Sequence, residues 1–253
     1  MLTICDLSLR LAGKQILDRV SFSLRPQRIT ALVGKNGSGK SSILSCINRQ
    51  LPYSGQIMEG EKNFARMPAG ERAKTVAILP QNIPAPHIPA EEMVGFGRTP
   101  YLDVTGKLRE ADYAAVREAL QDAHAEAFAD RYVDTLSGGE RQRIALAMIL
   151  AQNTPIVLLD EPTAHMDQGY EALFLQALTE LKQSKKKTFL VVLHDLTAAI
   201  RCADDFLVLD AGKLIFSGSK EELLRGRILE DTFGLRRYIA EGTGESRFFF
   251  ASE

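Results

Sequence analysis

Hydrophobic and polar positions alternate with period two along LTICDLSLRL, residues 2–11, and again along DRVSFSL, residues 18–24. Alternation sets one face of each segment against a core, so the two predict an antiparallel strand pair. RITALVG, 28–34, is apolar almost throughout and is broken by a glycine, as a buried strand would be. SSILSCINRQL, 41–51, has helical length; Pro52, Ser54 and Gly55 then mark a turn, and KTVAILPQ, 74–81, reads as a strand ended by a proline. From Asn82 to about Asn153 the pattern changes. Three prolines in IPAPHIPA precede EEMVGFG, READYAAVREALQDAHA and SGGERQRIALAMILAQ, all of helical period and with no convincing strand. Strand and helix then alternate again through PIVLLD, GYEALFLQALTELKQ, TFLVVLH, LTAAIRCA and FLVLDAGKLIFSG. The order predicts an α/β fold with a mostly parallel sheet, an N-terminal antiparallel β-subdomain and an inserted α-helical subdomain. One domain would span 1–253, with 1–81 and 154–253 as its core and 82–153 as the insertion.

Composition removes several classes. At 253 residues the chain can bury roughly 70–75% of its unfolded surface, enough for a sizeable core. Thirty-one basic residues against thirty-two acidic ones give a formal charge of −1, with no electrostatic footprint for nucleic acid or anionic lipid. Cys5, Cys46 and Cys202 lie far apart and form no C-x-x-C pair, so neither a disulfide framework nor a zinc site is indicated. MLTICDLSLRL alternates instead of running apolar, and no stretch approaches the ~18 apolar residues of a membrane span. A cytoplasmic protein is expected. The lysine-rich run 182–187, KQSKKK, reads as a solvated helix end complementing the helix dipole.

Five local patterns carry chemistry. GKNGSGKS, Gly34 to Ser41, fits G-x-x-x-x-G-K-[ST] and stands between a strand and a helix. There, backbone amides can wrap phosphates, Lys40 can reach the β and γ groups, and Ser41 can bind Mg2+. Gly34, Asn36, Gly37, Ser38, Gly39, Lys40, Ser41 and Ser42 are the candidate phosphate-binding residues. The plain alternative is a glycine turn with a chance lysine. PIVLLDEPT places Asp160 and Glu161 at the end of an apolar strand, where unpaired carboxylates are costly unless a cation offsets them. Asp160 suits the magnesium shell and Glu161 a base for an attacking water. VVLHD ends a strand in His194, a candidate contact for the γ-phosphate, although a core histidine satisfied by backbone is the commoner reading. Gln81, closing VAILPQ, offers a neutral oxygen to the metal at the same rim of the sheet. In LSGGE, Ser137 and Glu140 have capping-box spacing. The cap leaves Gly138 and Gly139 unexplained, because glycine costs about 1 kcal/mol per helical position relative to alanine. Bare amides at a helix N-terminus suit an anion.

Taken in order, GKNGSGKS, LPQ, LSGGERQR, VLLDEPT, HMD and VLHD resemble the nucleotide-binding subunit of an ATP-binding cassette transporter, over nearly the whole chain. The resemblance implies a P-loop NTPase core, ATP and Mg2+ as ligands, and ATP hydrolysis with Lys40, Gln81, Glu161 and His194 in the chemistry. It implies two copies pairing head to tail, each presenting Ser137, Gly138, Gly139 and Glu140 to ATP on the other, with Asp167 signalling across the interface. VGFGRTPYLD, 94–103, and PTAHMD resemble the subfamily that powers import of ferric siderophores, haem and cobalamin. Its members attach to the inner face of the membrane through permease subunits, served indirectly by a substrate-binding protein. Leu11 stands where such subunits place an aromatic on adenine. Residues 82–105 are expected to form the groove for a permease helix, with Arg98 and Tyr101 as anchors. Other importers, exporters and non-transport ATPases of the family are the alternatives. A chromosome-organising ATPase would need a long heptad insertion, a translation-type protein two tandem copies, and a P-loop kinase no signature helix. A non-enzymatic nucleotide switch would have no use for Glu161 and His194.

Overall fold

The computed structural model describes residues 1–164, 166, 168–240 and 247–251. They fall into two compact units, residues 1–66 with the chain from Leu190 onward, and Met67–Phe189. The chain enters the first unit through β1 (Leu2–Leu11), β2 (Lys14–Ser23), β3 (Ile29–Gly34), α1 (Lys40–Ile47), β4 (Ser54–Glu59) and β5 (Lys62–Asn63). The second unit holds α2 (Ala69–Thr75), β6 (Val76–Leu79), α3 (Ala90–Gly95), α4 (Glu110–Asp122), α5 (Gly138–Ala151), β7 (Ile156–Asp160) and α6 (Gln168–Ser184). The chain returns along β8 (Thr188–Val192) to α7 (Leu196–Cys202), β9 (Asp205–Asp210), β10 (Lys213–Ser219), α8 (Lys220–Arg225), α9 (Ile228–Phe233), β11 (Arg236–Ala240) and β12 (Arg247–Ala251).

In the first unit, β1 and β2 form the expected antiparallel pair, with Leu9 opposite Leu17. Leu2, Ile4, Leu7 and Leu9 reach the interior, each no more than 1% exposed, because an irregularity between Ile4 and Leu7, with Asp6 at φ 50°, shifts the alternation by one residue. The sheet runs β2-β1-β4-β5. Ser54 and Gly55, taken from sequence as a turn, open its strand β4. All six residues of β3 are buried, and β3 pairs in parallel with β9. A strand covered on both faces has no polar side, which is why 29–34 shows no alternation.

The second unit pairs β6 and β7 in parallel, Val76 opposite Ile156. Between Asn82 and Asn153 the described residues form helices and 3-10 turns, with one isolated bridge joining Pro89 to Tyr132. Helix α5 is buried along most of its length, from Gln142 through Ala151, while Ser137 and Gly138 at its start are exposed.

In the run 182–187, Gln183, Ser184 and Lys186 are exposed as its charge suggests, but Lys185 and Lys187 are engaged. Lys185 pairs with Glu118 and with Asp122, the latter at 3.2 Å. Lys187 is 7% exposed. Its Nζ donates to the Thr154 carbonyl at 2.7 Å and to Asn153 Oδ1 at 3.1 Å, and burial pushes its pKa down. Helix α6 stops at Ser184, so Lys187 already belongs to the approach of β8.

Candidate nucleotide site

The glycine-rich loop lies wholly in the first unit, where β3 ends and α1 begins. Gly37 and Gly39 have φ of 76° and 105°, a region costly for residues with a Cβ. A Cβ on Gly39 would stand 2.7 Å from Leu17 Cδ2, and one on Gly34 would stand 2.2 Å from the Leu209 carbonyl oxygen. The loop is therefore pressed against β2 and β9, and only bare backbone fits. Lys40 is 5% exposed and donates from Nζ to the carbonyls of Gly34 at 2.8 Å and Lys35 at 3.0 Å. Its ammonium is held over the loop that would receive phosphate. No atom stands within 4 Å of a Cβ built on Gly37, so the loop's crest is open to a ligand. Asn36 beside it is exposed, and Ser41 and Ser42 in the first turn of α1 are half-buried. Ser38 differs from its neighbours. It is 2% exposed with its hydroxyl turned into the fold and without a hydrogen-bond partner, so any contribution to phosphate comes from its backbone. Leu11 is half-buried where β1 turns into β2.

The carboxylates lie in the second unit. Asp160 closes β7 after four buried residues. Glu161 follows at φ 50°, a left-handed conformation that costs a residue of this kind about 1–3 kcal/mol and that clusters at functional sites. Gln81, exposed beyond the end of β6, donates from Nε2 to Glu161 Oε2 at 2.6 Å. The structure thus joins two residues 80 positions apart that belong to separate sequence motifs. The Gln81 amide oxygen takes no part in that bond. In the first unit His194 is exposed just past β8. The next residue, Asp195, caps α7 by accepting from the amides of Thr197 at 2.7 Å and Ala198 at 3.2 Å. A cavity of about 210 Å³ opens there, lined by His194, Asp195, Thr197, Phe233, Leu235 and Phe250 among others.

Helix α5 begins with the capping box read from sequence. Ser137 Oγ accepts from the Glu140 amide at 3.3 Å, and Glu140 Oε2 accepts from the Ser137 amide at 2.8 Å. That amide, helped by Arg131 at 2.8 Å, holds the Glu140 carboxyl below its usual range. The Ser137 hydroxyl accepts in the cap and also interacts with the Glu140 carboxylate. Gly138 is exposed. Gly139 looks toward its own chain: a Cβ there would meet the Tyr170 ring at 3.4 Å. Arg143 also lies over that ring, 5.1 Å from its centroid. No local pattern around Tyr170 marks this contact in the sequence. Asp167 lies outside the described residues.

Arg98 and Tyr101 are not surface anchors. Arg98 is 8% exposed and its Nε donates to Asp112 Oδ1 at 2.9 Å. Its guanidinium carbon sits 3.9 Å from the Tyr101 ring centroid. Tyr101 is half-buried and donates to the Gln152 carbonyl at 3.1 Å. Both side chains are engaged by the helices of their own unit, and the exposed large hydrophobic residues of the segment are Phe96 and Val104.

A strand, a glycine loop and a helix clasping a buried lysine, with a paired glutamate and glutamine and a capped glycine helix, define a P-loop ATPase cassette. The chain belongs to the ABC transporter family, whose model matches residues 17–164; it is an ABC ATPase. It is 38% identical to the hemin import ATP-binding protein HmuV of Pseudomonas aeruginosa, over 93% of each chain. It is 35% identical to the ferric enterobactin transport ATP-binding protein FepC of Escherichia coli, over 89% of this chain and 84% of that one. Its fold matches the ADP conformation of MJ1267, an ATP-binding cassette of an ABC transporter, with a TM-score of 0.81 and 23% identity over 91% of this chain and 95% of that chain.

Proposed function

We propose that the chain is the ATP-hydrolysing subunit of an importer that carries an iron chelate, siderophore or haem, or cobalamin. Its similarity to hemin and ferric enterobactin transport subunits over most of their length supports this. VGFGRTPYLD adds to it. The protein would work as a head-to-tail pair of copies attached to permease subunits at the inner face of the membrane, supplied by a substrate-binding protein. Among the described residues no helix is long and apolar enough to cross a membrane.

In this proposal the amides from Asn36 to Ser42 and the Lys40 ammonium hold the phosphates. The Ser41 hydroxyl, the Gln81 amide oxygen and the Asp160 carboxylate would hold Mg2+. All three are hard oxygen donors, the chemistry that ion selects, and few protein ligands suffice where phosphate supplies the rest. When bound, the ion neutralises charge on the β- and γ-phosphates. Glu161 takes the proton of the attacking water. Gln81 Nε2, which grips Glu161 Oε2 in the structure, orients that carboxylate. His194 contacts the γ-phosphate and fixes the water. Ser137, Gly138, Gly139 and Glu140 complete the site on the other copy, Ser137 through its hydroxyl and Gly138 through its backbone amide, with Asp167 signalling across the interface.

The test is Glu161→Gln. An amide oxygen can still accept from Gln81, so ATP binding should persist while hydrolysis falls 10²–10⁴-fold, the range for a lost general base. ATP should then trap the dimer, visible by size-exclusion chromatography. Near-normal turnover would remove Glu161 from the mechanism.

A further inference from the structure

Helix α5 presents Ser137 and the glycines at one end; its other end is held by a cluster that the nucleotide site does not use. The last carbonyls of any helix lack partners within it. Here the carbonyl of Ala151 accepts from an Arg98 guanidinium nitrogen at 2.7 Å, and that of Gln152 accepts from the Tyr101 hydroxyl at 3.1 Å. Arg98 also donates to Asp112, whose second oxygen accepts the Arg109 amide at 3.0 Å and so caps α4. The Gln152 side chain donates to the Ala73 carbonyl at 2.6 Å, tying the same helix end to α2. Gly97 lets the backbone come this close, since a Cβ there would stand 2.1 Å from the Met148 carbonyl oxygen. One planar guanidinium therefore meets α4, the end of α5 and the Tyr101 ring at once, which a lysine cannot do. At 14 residues α5 is about 21 Å long, so a tilt of about 5° at the gripped end displaces the first turn by about 2 Å.

We infer that Arg98, backed by Tyr101, is a positioning residue for hydrolysis: its grip on the C-terminal end of α5 sets where Ser137 and the glycines are presented. The inference rests on the proposed paired ATPase, in which those residues meet ATP held by the second copy. Misplacement of about 1 Å at a reacting centre can cost 100-fold in rate. Nucleotide capture by one copy relies on the Lys40 loop and should not depend on Arg98.

The test uses the full chain and its Arg98→Met, Arg98→Lys and Tyr101→Phe variants, all assayed well below their melting temperatures. ATP affinity is measured by titration at dilute protein, and turnover is followed as protein concentration rises. Arg98→Met should lower turnover at saturating ATP about tenfold or more, with ATP affinity within about twofold of the parent. Arg98→Lys and Tyr101→Phe should fall between. If all three variants turn over like the parent, or if affinity and turnover fall together, Arg98 is only a structural support and the inference is overturned. A parent chain whose turnover does not depend on its own concentration would instead refute the paired ATPase itself.

Discussion

Ser38→Ala separates the phosphate loop's stability from its function. The Ser38 hydroxyl is buried, has no hydrogen-bond partner, and lies 2.7 Å from where a Cβ on Gly34 would stand. An unsatisfied buried hydroxyl costs about 1–3 kcal/mol. Deleting one oxygen leaves a small void that returns part of this, so the net gain should be about 1 kcal/mol. For a chain of this size that corresponds to a rise of about 2–4 °C in melting temperature. Because the hydroxyl points inward and the phosphates would be wrapped by backbone amides, ATP affinity should stay within about threefold, under roughly 0.7 kcal/mol. Differential scanning fluorimetry without nucleotide, followed by an ATP titration of parent and variant, measures both quantities. A lower melting temperature in Ser38→Ala would show that the hydroxyl is satisfied in solution. A tenfold loss of affinity would show that it turns outward to the ligand. The first result refutes the unsatisfied hydroxyl, and the second refutes the assignment of Ser38 as a backbone-only contributor.

Two further predictions concern the edges of the site. Leu11→Tyr would supply the ring that Leu11 lacks and should tighten ATP binding by about 0.5–1.5 kcal/mol; an unchanged isotherm would mean that adenine is held elsewhere. Glu140 has its folded pKa held below the ordinary 4.5, first by the Ser137 amide, so its stabilisation is present above about pH 4.5 and lost as pH falls through the lowered value. Glu140→Gln keeps an oxygen for that amide but does not titrate. Its stability should therefore fall less steeply than the parent's below that pH, and superimposable acid-unfolding profiles would contradict this.

The chemistry of this chain was legible because its motifs are local. Gly34 to Ser41 are eight consecutive residues whose glycines, lysine and flanking strand and helix specify a phosphate cradle with no distant partner. The Ser137–Glu140 cap is likewise complete within four residues, and the structure shows both of its bonds. Periodicity located β1, β2 and the helices between Asn82 and Asn153, because it records which face of each element is apolar, and an unbroken apolar run located β3. It did not reveal β11 and β12, or the strand that begins at Ser54, since segments of five or six residues carry little periodic signal. Tertiary structure alone decided the fate of charged and aromatic side chains whose partners are remote. Arg98 and Lys187 belong to types that normally stay in water, yet each is buried. Arg98 reaches a carbonyl 53 positions away and Lys187 one 33 positions away. Glu161 and Gln81 meet across 80 residues, and Gly139 faces Tyr170. The physical reason is the same in each case. A residue's own type and neighbours set what it can bond, but a remote carbonyl or ring becomes its partner only after elements far apart in sequence have packed.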